Sequence, residues 1–162
     1  MSEPVPWTLR PAEPADAEAI ALIWHAGWRD GHLGHVPAAL LEHRGLDDFR
    51  TRVPGRLSAT TVAVTGAELT GFVVVEADEV EQVYVAAPAR GSGVAAALLG
   101  HAERTVAAGH DTAWLAVNAA NGRARRFYER SGWRDLGPVD YLAETADGPM
   151  PVPCRRYAKA VR

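Results

Sequence analysis

The feature that most limits how this chain can fold is a glycine-rich turn that leaves a strand and opens a helix. A run of β-branched residues at 80–85 ends before Pro88, and Arg90-Gly-Ser-Gly93 then leads into an apolar stripe at helical spacing. Glycine lets the backbone approach a ligand closely because it has no Cβ atom. Unpaired amides and the helix dipole at such a helix start favour an anion such as a pyrophosphate.

Taken alone, the glycines are also compatible with an ordinary strand-to-helix turn. A nucleotide-triphosphate loop would require a lysine beside the last glycine, and this segment has none. The stretch from Gly91 to Ala96 does match the loose dinucleotide fingerprint GxGxxA. That fingerprint requires an acidic residue at the end of the next strand, and the strand predicted here ends in Asn118.

The other segments predict an α+β domain built on one mixed sheet. Helical spacing and capping signals predict helices at 14–24, 38–52 (interrupted near Gly45), 94–108 and 121–130. Residues 28–37 are predicted as a loop because they contain two glycines and a proline. Strands are predicted at 7–10, 61–64, 69–75, 80–85, 112–117, 133–136 and 155–160. The second to fourth of these strands should pair as an antiparallel meander, and a proline-rich loop should precede the last strand.

Composition limits the size and class of the protein. The 162 residues fit one domain, predicted at 7–162 after a flexible tail at 1–6. A net charge of −3 gives no basic field for nucleic acid or an acidic membrane. The single cysteine, Cys154, excludes an internal disulfide and a cysteine-based zinc finger. We find no signal peptide and no apolar run of the roughly 18 residues that a membrane helix needs, so we expect a cytoplasmic protein.

A second motif lies about thirty residues after the glycine-rich turn. The segment from Asn121 to Trp133 begins with a residue suited to capping a helix and contains the pair Phe127-Tyr128. Phe127 is most simply a core residue. Tyr128 points about 100° away from it on the helix, where it would pack at the margin of the core or present its hydroxyl to a ligand.

Together the two motifs resemble the GNAT superfamily of acyl-CoA-dependent N-acetyltransferases. Its pyrophosphate motif, [QR]xxGx[GA], is matched by Arg90, Gly93 and Ala95, with alanine where glycine is usual. Its later motif is matched by Asn121, Ala124, Phe127, Tyr128, Gly132 and Trp133. The resemblance implies a mixed, mostly antiparallel sheet of six or seven strands with about four helices. It also implies that acetyl-CoA binds as co-substrate between the splayed strands 80–85 and 112–117.

The resemblance also implies the residues that bind the co-substrate. The pantetheine arm and the thioester carbonyl would contact backbone groups of Val83, Tyr84 and Val85. Asn121 would position the cofactor. Tyr128 occupies the position of the general acid that protonates the leaving thiolate, and a phenol with an ordinary pKa of about 10 suits that role. The pyrophosphate would lie beside Arg90, on amides of Gly91, Ser92, Gly93, Val94, Ala95 and Ala96.

The base and the acceptor are less constrained. Glu79 or Glu81 is the candidate base, because period 2 places both on the side of Val83 and Val85; the alternative is a pair of charged residues at the exposed end of a strand. The acceptor is expected to be a small-molecule or peptide amine. The resemblance implies that the first two helices and the last hairpin form the binding site for the acceptor. The candidate contacts there are Trp28, Asp30 and Tyr141. Aromatic and carboxylate side chains there suit an amine cation.

Two other functions remain open at this point. The first is a catalytically silent acyl-CoA sensor or interaction module of the same fold, although a pure binder has no need of the proton donor Tyr128. The second is a dinucleotide-binding domain, which the missing acidic residue disfavours. We predict no metal site, because His32 and His35 have no further ligand at a recognisable spacing. A homodimer is common in the family, but no residue here requires one.

Overall fold

Seven strands form one mixed sheet with helices on both faces. The computed structural model describes residues 7–162, and the tail predicted at 1–6 lies outside the described residues. The strands are β1 (Trp7–Pro11), β2 (Thr60–Thr65), β3 (Glu68–Glu76), β4 (Glu79–Val85), β5 (Thr112–Asn118), β6 (Arg134–Ala143) and β7 (Met150–Ala160). The α-helices are α1 (Ala17–His32), α2 (Ala38–Glu42), α3 (Leu46–Arg52), α4 (Val94–Ala107) and α5 (Gly122–Arg130).

The strand order is β1-β2-β3-β4-β5-β7-β6. Strands β1 to β4 pair in sequence order and antiparallel, so the predicted hairpin and meander are confirmed. Strand β7 lies antiparallel between β5 and β6. The parallel contact is between β4 and β5, which α4 connects. The predicted α+β class and mixed sheet of six or seven strands are therefore confirmed. The described part of the chain has seven strands and five α-helices, where about four helices were expected.

The sheet separates two apolar clusters. On one face, α4 contributes a stripe that includes Leu98, Leu99 and Ala102, each at most 1% exposed. On the other face, Ile20 and Trp24 of α1 pack with residues of α3, β2 and β3. Burying a large apolar side chain contributes about 1.5–3 kcal/mol, so these two stripes fix both helices on the sheet.

Helix α1 is longer than the sequence predicted. The predicted end at Trp24 is wrong, and the first residues of the predicted loop at 28–37 are helical up to His32. Gly31, Gly34 and Pro37 suggested the loop, because glycine costs about 1 kcal/mol relative to alanine inside a helix and proline about 3 kcal/mol. The buried stripe nevertheless continues, since Trp28 follows Trp24 at helical spacing and is 7% exposed. Tertiary packing outweighs the local preference here.

The glycines of α1 are required by what packs against the helix. A Cβ atom at Gly27 would overlap the ring of Tyr84 on β4. A Cβ at Gly31 would lie 2.8 Å from the side-chain nitrogen of Asn121. These two positions, four residues apart on one helix face, let β4 and the start of α5 approach α1 closely.

The last two strands are also longer than predicted. The sequence suggested strands at 133–136 and 155–160 with a proline-rich loop between them, and the loop is wrong over most of its length. Strand β6 is an edge strand, where a proline such as Pro138 removes no bond on the open side. Pro153 accepts a bond from Ala119 through its carbonyl, so its nitrogen also faces the side of β5. The paired residues of β5 end at Asn118, opposite Cys154, so Pro151 and Pro153 interrupt no ladder.

Replacing Gly27 by alanine should lower the free energy of unfolding by about 1–3 kcal/mol, because the added methyl group overpacks the contact with Tyr84. The matched control is Gly100→Ala in α4, where the nearest atom to a new Cβ is the flexible end of Arg104 at 3.4 Å. That change should raise stability by about 0.4–1 kcal/mol. Urea denaturation of both variants measures the difference, and equal effects would contradict the packing role of Gly27.

Candidate functional site

The candidate site begins where β4 and β5 separate. Their parallel pairing is limited to the register pair Glu79 and Trp114. The Trp114 amide donates to the Asp78 carbonyl, and its indole nitrogen donates to Asp78 Oδ1, both at 3.1 Å. Beyond this point the strands diverge, as expected for the strands at 80–85 and 112–117. Two cavities, of about 380 and 240 Å³, open along the gap.

A β-bulge in β4 changes which face of the sheet its side chains occupy. The register of β3 and β4 shifts between Val74 and Val75, so β4 has one extra residue there. Val80, Val83 and Val85 consequently share the face of α4. Glu79 and Glu81 face the other way, toward Tyr141 and Arg56 respectively. The prediction that both glutamates share the side of Val83 and Val85 is therefore wrong, because strict period 2 does not hold across a bulge.

The smaller cavity, here the turn-side cavity, lies beside the glycine-rich turn. Its walls are Gly27 of α1, the end of β4, the turn itself and one face of α5. Among the predicted co-substrate residues, it is lined by Val83, Tyr84, Val85, Arg90, Gly91, Gly93, Ala95, Asn121 and Tyr128. The structure thus brings together most of the residues that the two motifs predict. Ser92 and Ala96 are exposed close by, whereas the Val94 side chain is buried in the core.

The turn has a backbone geometry that exposes amides. Gly91 and Gly93 adopt φ angles of 79° and 96°, a region that favours glycine. A Cβ at Gly91 would meet nothing within 4 Å, so the space above the turn is open. The Ala97 amide donates to the Gly93 carbonyl at 3.0 Å. Within the described residues, the amides of Ala95 and Ala96 have no such acceptor, and they lie at the positive end of the α4 dipole.

Arg90 is held by an ion pair with α1. Its Nη2 atom donates to Asp30 Oδ2 at 2.8 Å, and both side chains are partly exposed. Asp30, a candidate acceptor contact from the sequence, therefore lies with the turn and does not line the larger cavity. The ion pair orients the Arg90 guanidinium at the edge of the turn-side cavity. An exposed pair of this kind contributes about 0–1 kcal/mol to stability.

Tyr128 lies where the two cavities meet. Its side chain is 9% exposed and lines both of them. Burial raises the pKa of Tyr128 to about 12, because the charged phenolate is disfavoured away from water. Within residues 7–162, the hydroxyl has no hydrogen-bond partner, whereas the neighbouring Tyr157 hydroxyl donates to Glu129 at 3.0 Å. Tyr128 is thus a protonated, unengaged phenol facing open space.

Glu79 and Glu81 both line the larger cavity, but their surroundings differ. Glu81 accepts a bond from Arg56 Nε at 2.5 Å and is held in that ion pair. Glu79 accepts a bond from the Tyr141 hydroxyl at 3.2 Å, and no ion pair involves it in the described part of the chain. Burial raises the pKa of Glu79, while the Tyr141 bond opposes this shift. Of the two carboxylates, Glu79 is the one without a cationic partner.

The larger cavity, here the acceptor-side cavity, has aromatic walls from the segments expected to shape the acceptor. Trp28 and Tyr141, two of the three side chains that the sequence offered as acceptor contacts, line this cavity. The Trp28 ring stacks on His32 at 4.6 Å. His32 donates from Nδ1 to the Trp28 carbonyl at 2.8 Å, and burial lowers the pKa of His32. A neutral His32 therefore completes an uncharged wall on this side.

Sequence reasoning missed three cavity-lining arginines. Arg44, Arg52 and Arg56 come from the segment between α2 and β2, and all three line the acceptor-side cavity. Arg52 and Arg56 are four residues apart and both lie over the Trp24 ring, at 4.5 and 5.4 Å from its centroid. No local motif identifies these positions, because arginines in a helical segment are usually exposed to solvent. Their convergence depends on how α3 packs against α1.

The described residues show neither a metal site nor a membrane-spanning helix. They contain no cluster of three or more His, Cys, Asp or Glu side chains arranged to hold a metal ion. Across residues 7–162, no helix is both long enough and apolar enough to span a bilayer.

The chain is similar to a known protein family in sequence and to several solved structures in fold. The family model described as the acetyltransferase (GNAT) domain matches residues 43–151, which is about two thirds of the chain. No curated protein sequence matches significantly.

Several solved structures have a similar fold. A GCN5-related N-acetyltransferase from Rhodopseudomonas palustris superposes with a TM-score of 0.74 at 21% identity, covering 99% of this chain and 97% of that one. YjaB from Escherichia coli, in its apo form, gives 0.76 at 21% identity, with 94% and 97% covered. The yncA protein from Salmonella typhimurium, solved with its cofactor acetyl-CoA, gives 0.70 at 16% identity, with 97% and 95% covered.

Cys154 should be unreactive in the folded protein although it lines the acceptor-side cavity. It is 7% exposed, and burial raises its pKa to about 11, so little thiolate forms near pH 8. When the native protein is treated with 5,5′-dithiobis(2-nitrobenzoate) for minutes, less than about 0.1 equivalent of thionitrobenzoate per protein should be released. The same protein in denaturant should release one equivalent, because the chain has one cysteine. Rapid stoichiometric reaction of the native protein would contradict this burial.

Proposed function

Because this chain belongs to the GNAT acetyltransferase family, we propose that it transfers an acetyl group from acetyl-CoA to the primary amine of an acceptor by direct attack while both substrates are bound. The family match makes the chain an acetyl-CoA-dependent N-acetyltransferase. The observation that carries the proposal is the pair of cavities along the gap between β4 and β5, which meet at Tyr128. One cavity adjoins an anion-binding turn and the other does not.

The turn-side cavity suits the anionic end of acetyl-CoA. The amides of Ala95 and Ala96, the open space above Gly91 and the guanidinium of Arg90 together form a cradle for a pyrophosphate. The cradle requires only local positive charge, so a net charge of −3 for the chain does not oppose it. In this proposal Gly91, Ser92, Gly93, Val94, Ala95 and Ala96 bind the phosphates through their backbone.

The end of β4 suits the pantetheine arm. Beyond Glu79, β4 has no strand partner on the side of β5 within the described residues. Backbone groups of Val83, Tyr84 and Val85 on that edge are therefore available to bind an extended chain, as an added strand would. Asn121 caps α5 by accepting a bond from the Ala124 amide at 3.2 Å, which fixes its side chain at the junction of the cavities.

When bound, acetyl-CoA supplies the thioester carbonyl that the acceptor amine attacks. Glu79 receives the proton of the ammonium form, directly or through a water molecule, because it is the one of the two candidate bases without an ion pair in the described residues. Tyr128 holds a proton on its hydroxyl and gives it up at the sulfur that departs, and it regains one from the nitrogen, which loses its second proton as the amide forms. Glu81 keeps Arg56 in position and takes no part in the proton transfer.

We further propose that residues 7–162 form a single acetyltransferase domain. One continuous sheet runs from β1 to β6, and both apolar clusters pack against it. The family match extends over α3 to β6 within this range. Limited proteolysis that releases a stable fragment much shorter than this range would contradict the proposal.

Replacing Tyr128 by phenylalanine should lower kcat by about 10²–10⁴-fold, the usual contribution of a general acid. The dissociation constant for acetyl-CoA should change by less than about 3-fold, because the ring and its packing remain. Thiol release and isothermal titration measure the two quantities. The matched control is Tyr157→Phe, another buried tyrosine that lines neither cavity.

The control variant should keep nearly full turnover. Equal loss in both variants would indicate a structural effect, and unchanged turnover in Tyr128→Phe would remove Tyr128 from the mechanism. Acetyl-CoA binding without transfer to any amine would instead favour the silent binding module.

Replacing Glu79 by glutamine should remove the acid limb of the pH profile of kcat/KM. Burial raises the pKa of Glu79, so the wild-type rate should increase with pH through an ionisation above the usual range of a glutamate. Glu81→Gln should keep that limb, because Glu81 is engaged with Arg56. If both glutamine variants keep the wild-type profile, the amine is deprotonated by bulk solvent.

A further inference from the structure

Two of the three arginines that line the acceptor-side cavity make no ion pair in the described part of the chain. The third, Arg56, is neutralised by Glu81. Arg44 is 4% exposed and donates to the backbone carbonyls of His43 and Glu144, at 2.9 and 2.6 Å. Those carbonyls satisfy hydrogen bonds but carry no counter-charge. The Glu144 side chain is exposed at the rim and makes no ion pair in the described part of the chain.

Arg52 has even fewer partners. Its Nε atom is buried and has no hydrogen-bond partner within the described residues. Its guanidinium packs over the Trp24 ring at 4.5 Å and faces the cavity. Burial and the nearby Arg44 and Arg56 lower its pKa to about 10, with Glu81 and Glu144 opposing the shift, so the side chain is still charged at neutral pH.

A buried cation without a counter-charge is costly, and a buried N–H group without an acceptor adds to that cost. The cost disappears when an oxyanion binds, because a guanidinium forms two parallel charge-assisted bonds to a carboxylate. Two carboxylates of the same cavity make no ion pair in the described residues: Glu144 is exposed at the rim, and Glu79 lies inside on Tyr141. A ligand with one ammonium and one carboxylate group would pair with both Arg52 and Glu79.

We propose that the acceptor is a small amino carboxylate, such as a free amino acid, whose carboxylate binds Arg52 and Arg44 while its amine lies toward Glu79 and Tyr128. The inference rests on the proposed acetyl transfer and specifies the acceptor of that site. The cavity volume of about 380 Å³ is sufficient for such a molecule. The sequence alone left the acceptor open among small-molecule and peptide amines, because the three arginines were not part of that expectation.

The first experiment compares acceptors that differ in one charge. The twenty common L-amino acids and their carboxamides are assayed in pairs by thiol release from acetyl-CoA. Where an amino acid is acetylated, its kcat/KM should exceed that of its amide by about 10-fold or more, as expected when a charge-assisted bond is lost. Equal or better use of the amides would overturn the proposal for the acceptor and leave the acetyltransferase proposal intact.

A binding measurement keeps the two proposals separable. Trp24 lies under Arg52, so tryptophan fluorescence and calorimetry should report amino-acid binding to the CoA-loaded protein. Binding of amino acids but not amides, without acetyl transfer, would support the anion site and overturn the proposed reaction. Failure of every amino acid both to bind and to be acetylated would overturn the anion site.

The second experiment tests Arg52 directly through Arg52→Gln. We expect KM for the best amino acid to rise about 10- to 100-fold, while KM for acetyl-CoA changes less than about 3-fold. For the matching amide the variant and the wild type should differ little, because the lost interaction is with the carboxylate. An equal effect on amino acid and amide would show that Arg52 only packs on Trp24, and would overturn its role.

The matched control is Arg50→Gln on the same helix. Arg50 is exposed and pairs with Glu18 and Asp47 away from both cavities, so its removal should leave every KM unchanged. If Arg52→Gln does not fold, Arg52→Lys keeps the charge but loses the bidentate geometry. In Arg52→Lys the KM for the amino acid should rise about 3- to 10-fold, which is less than in Arg52→Gln because the charge remains. No rise would overturn the proposal.

Discussion

The structure depends on a parallel strand contact that is held at one end and open at the other. Trp114 fastens β5 to the turn before β4 through two bonds to Asp78. A full parallel ladder from this point would close the sheet and leave no room for a ligand, since paired strands lie about 4.8 Å apart. The bulge in β4 increases the local twist, and the strands separate. Both cavities, and the unpaired edge of β4, follow from this separation.

Helix α1 has glycine at the two positions where it packs closely against β4 and the start of α5. Its glycines at 27 and 31 receive the Tyr84 ring and the Asn121 amide, so the helix forms a wall of the site while still burying Trp24 and Trp28. The same helix carries Asp30, which orients Arg90 on the glycine-rich turn. The cost of glycine in the helix, about 1 kcal/mol each, is therefore offset by contacts that position residues from three other elements.

Local patterns in the sequence were sufficient to predict most elements and most of the turn-side cavity. The α4 stripe, the meander and the segment from Arg90 to Ala96 are each determined by residues close in sequence. The errors occurred where distant partners override local preference. Gly31 indicated a loop because its contact with Asn121 cannot be predicted from the local sequence. Pro151 and Pro153 indicated a loop because their place beyond the end of β5 cannot be predicted either. Alternation within β4 does not reveal a bulge, so the predicted orientation of Glu79 and Glu81 was wrong.

The acceptor side was harder to predict because its specificity depends on charges that are not adjacent in sequence. Arg52 and Glu79 come from different elements, and only Glu79 was a candidate from the sequence. The fold brings both to one cavity without an ion pair to either, and it buries Arg52 Nε without an acceptor. A buried N–H group without an acceptor lowers the stability of the empty protein. Such groups are ready to bind a ligand of complementary charge without first breaking an ion pair, so the site gives up folding stability in exchange for selectivity.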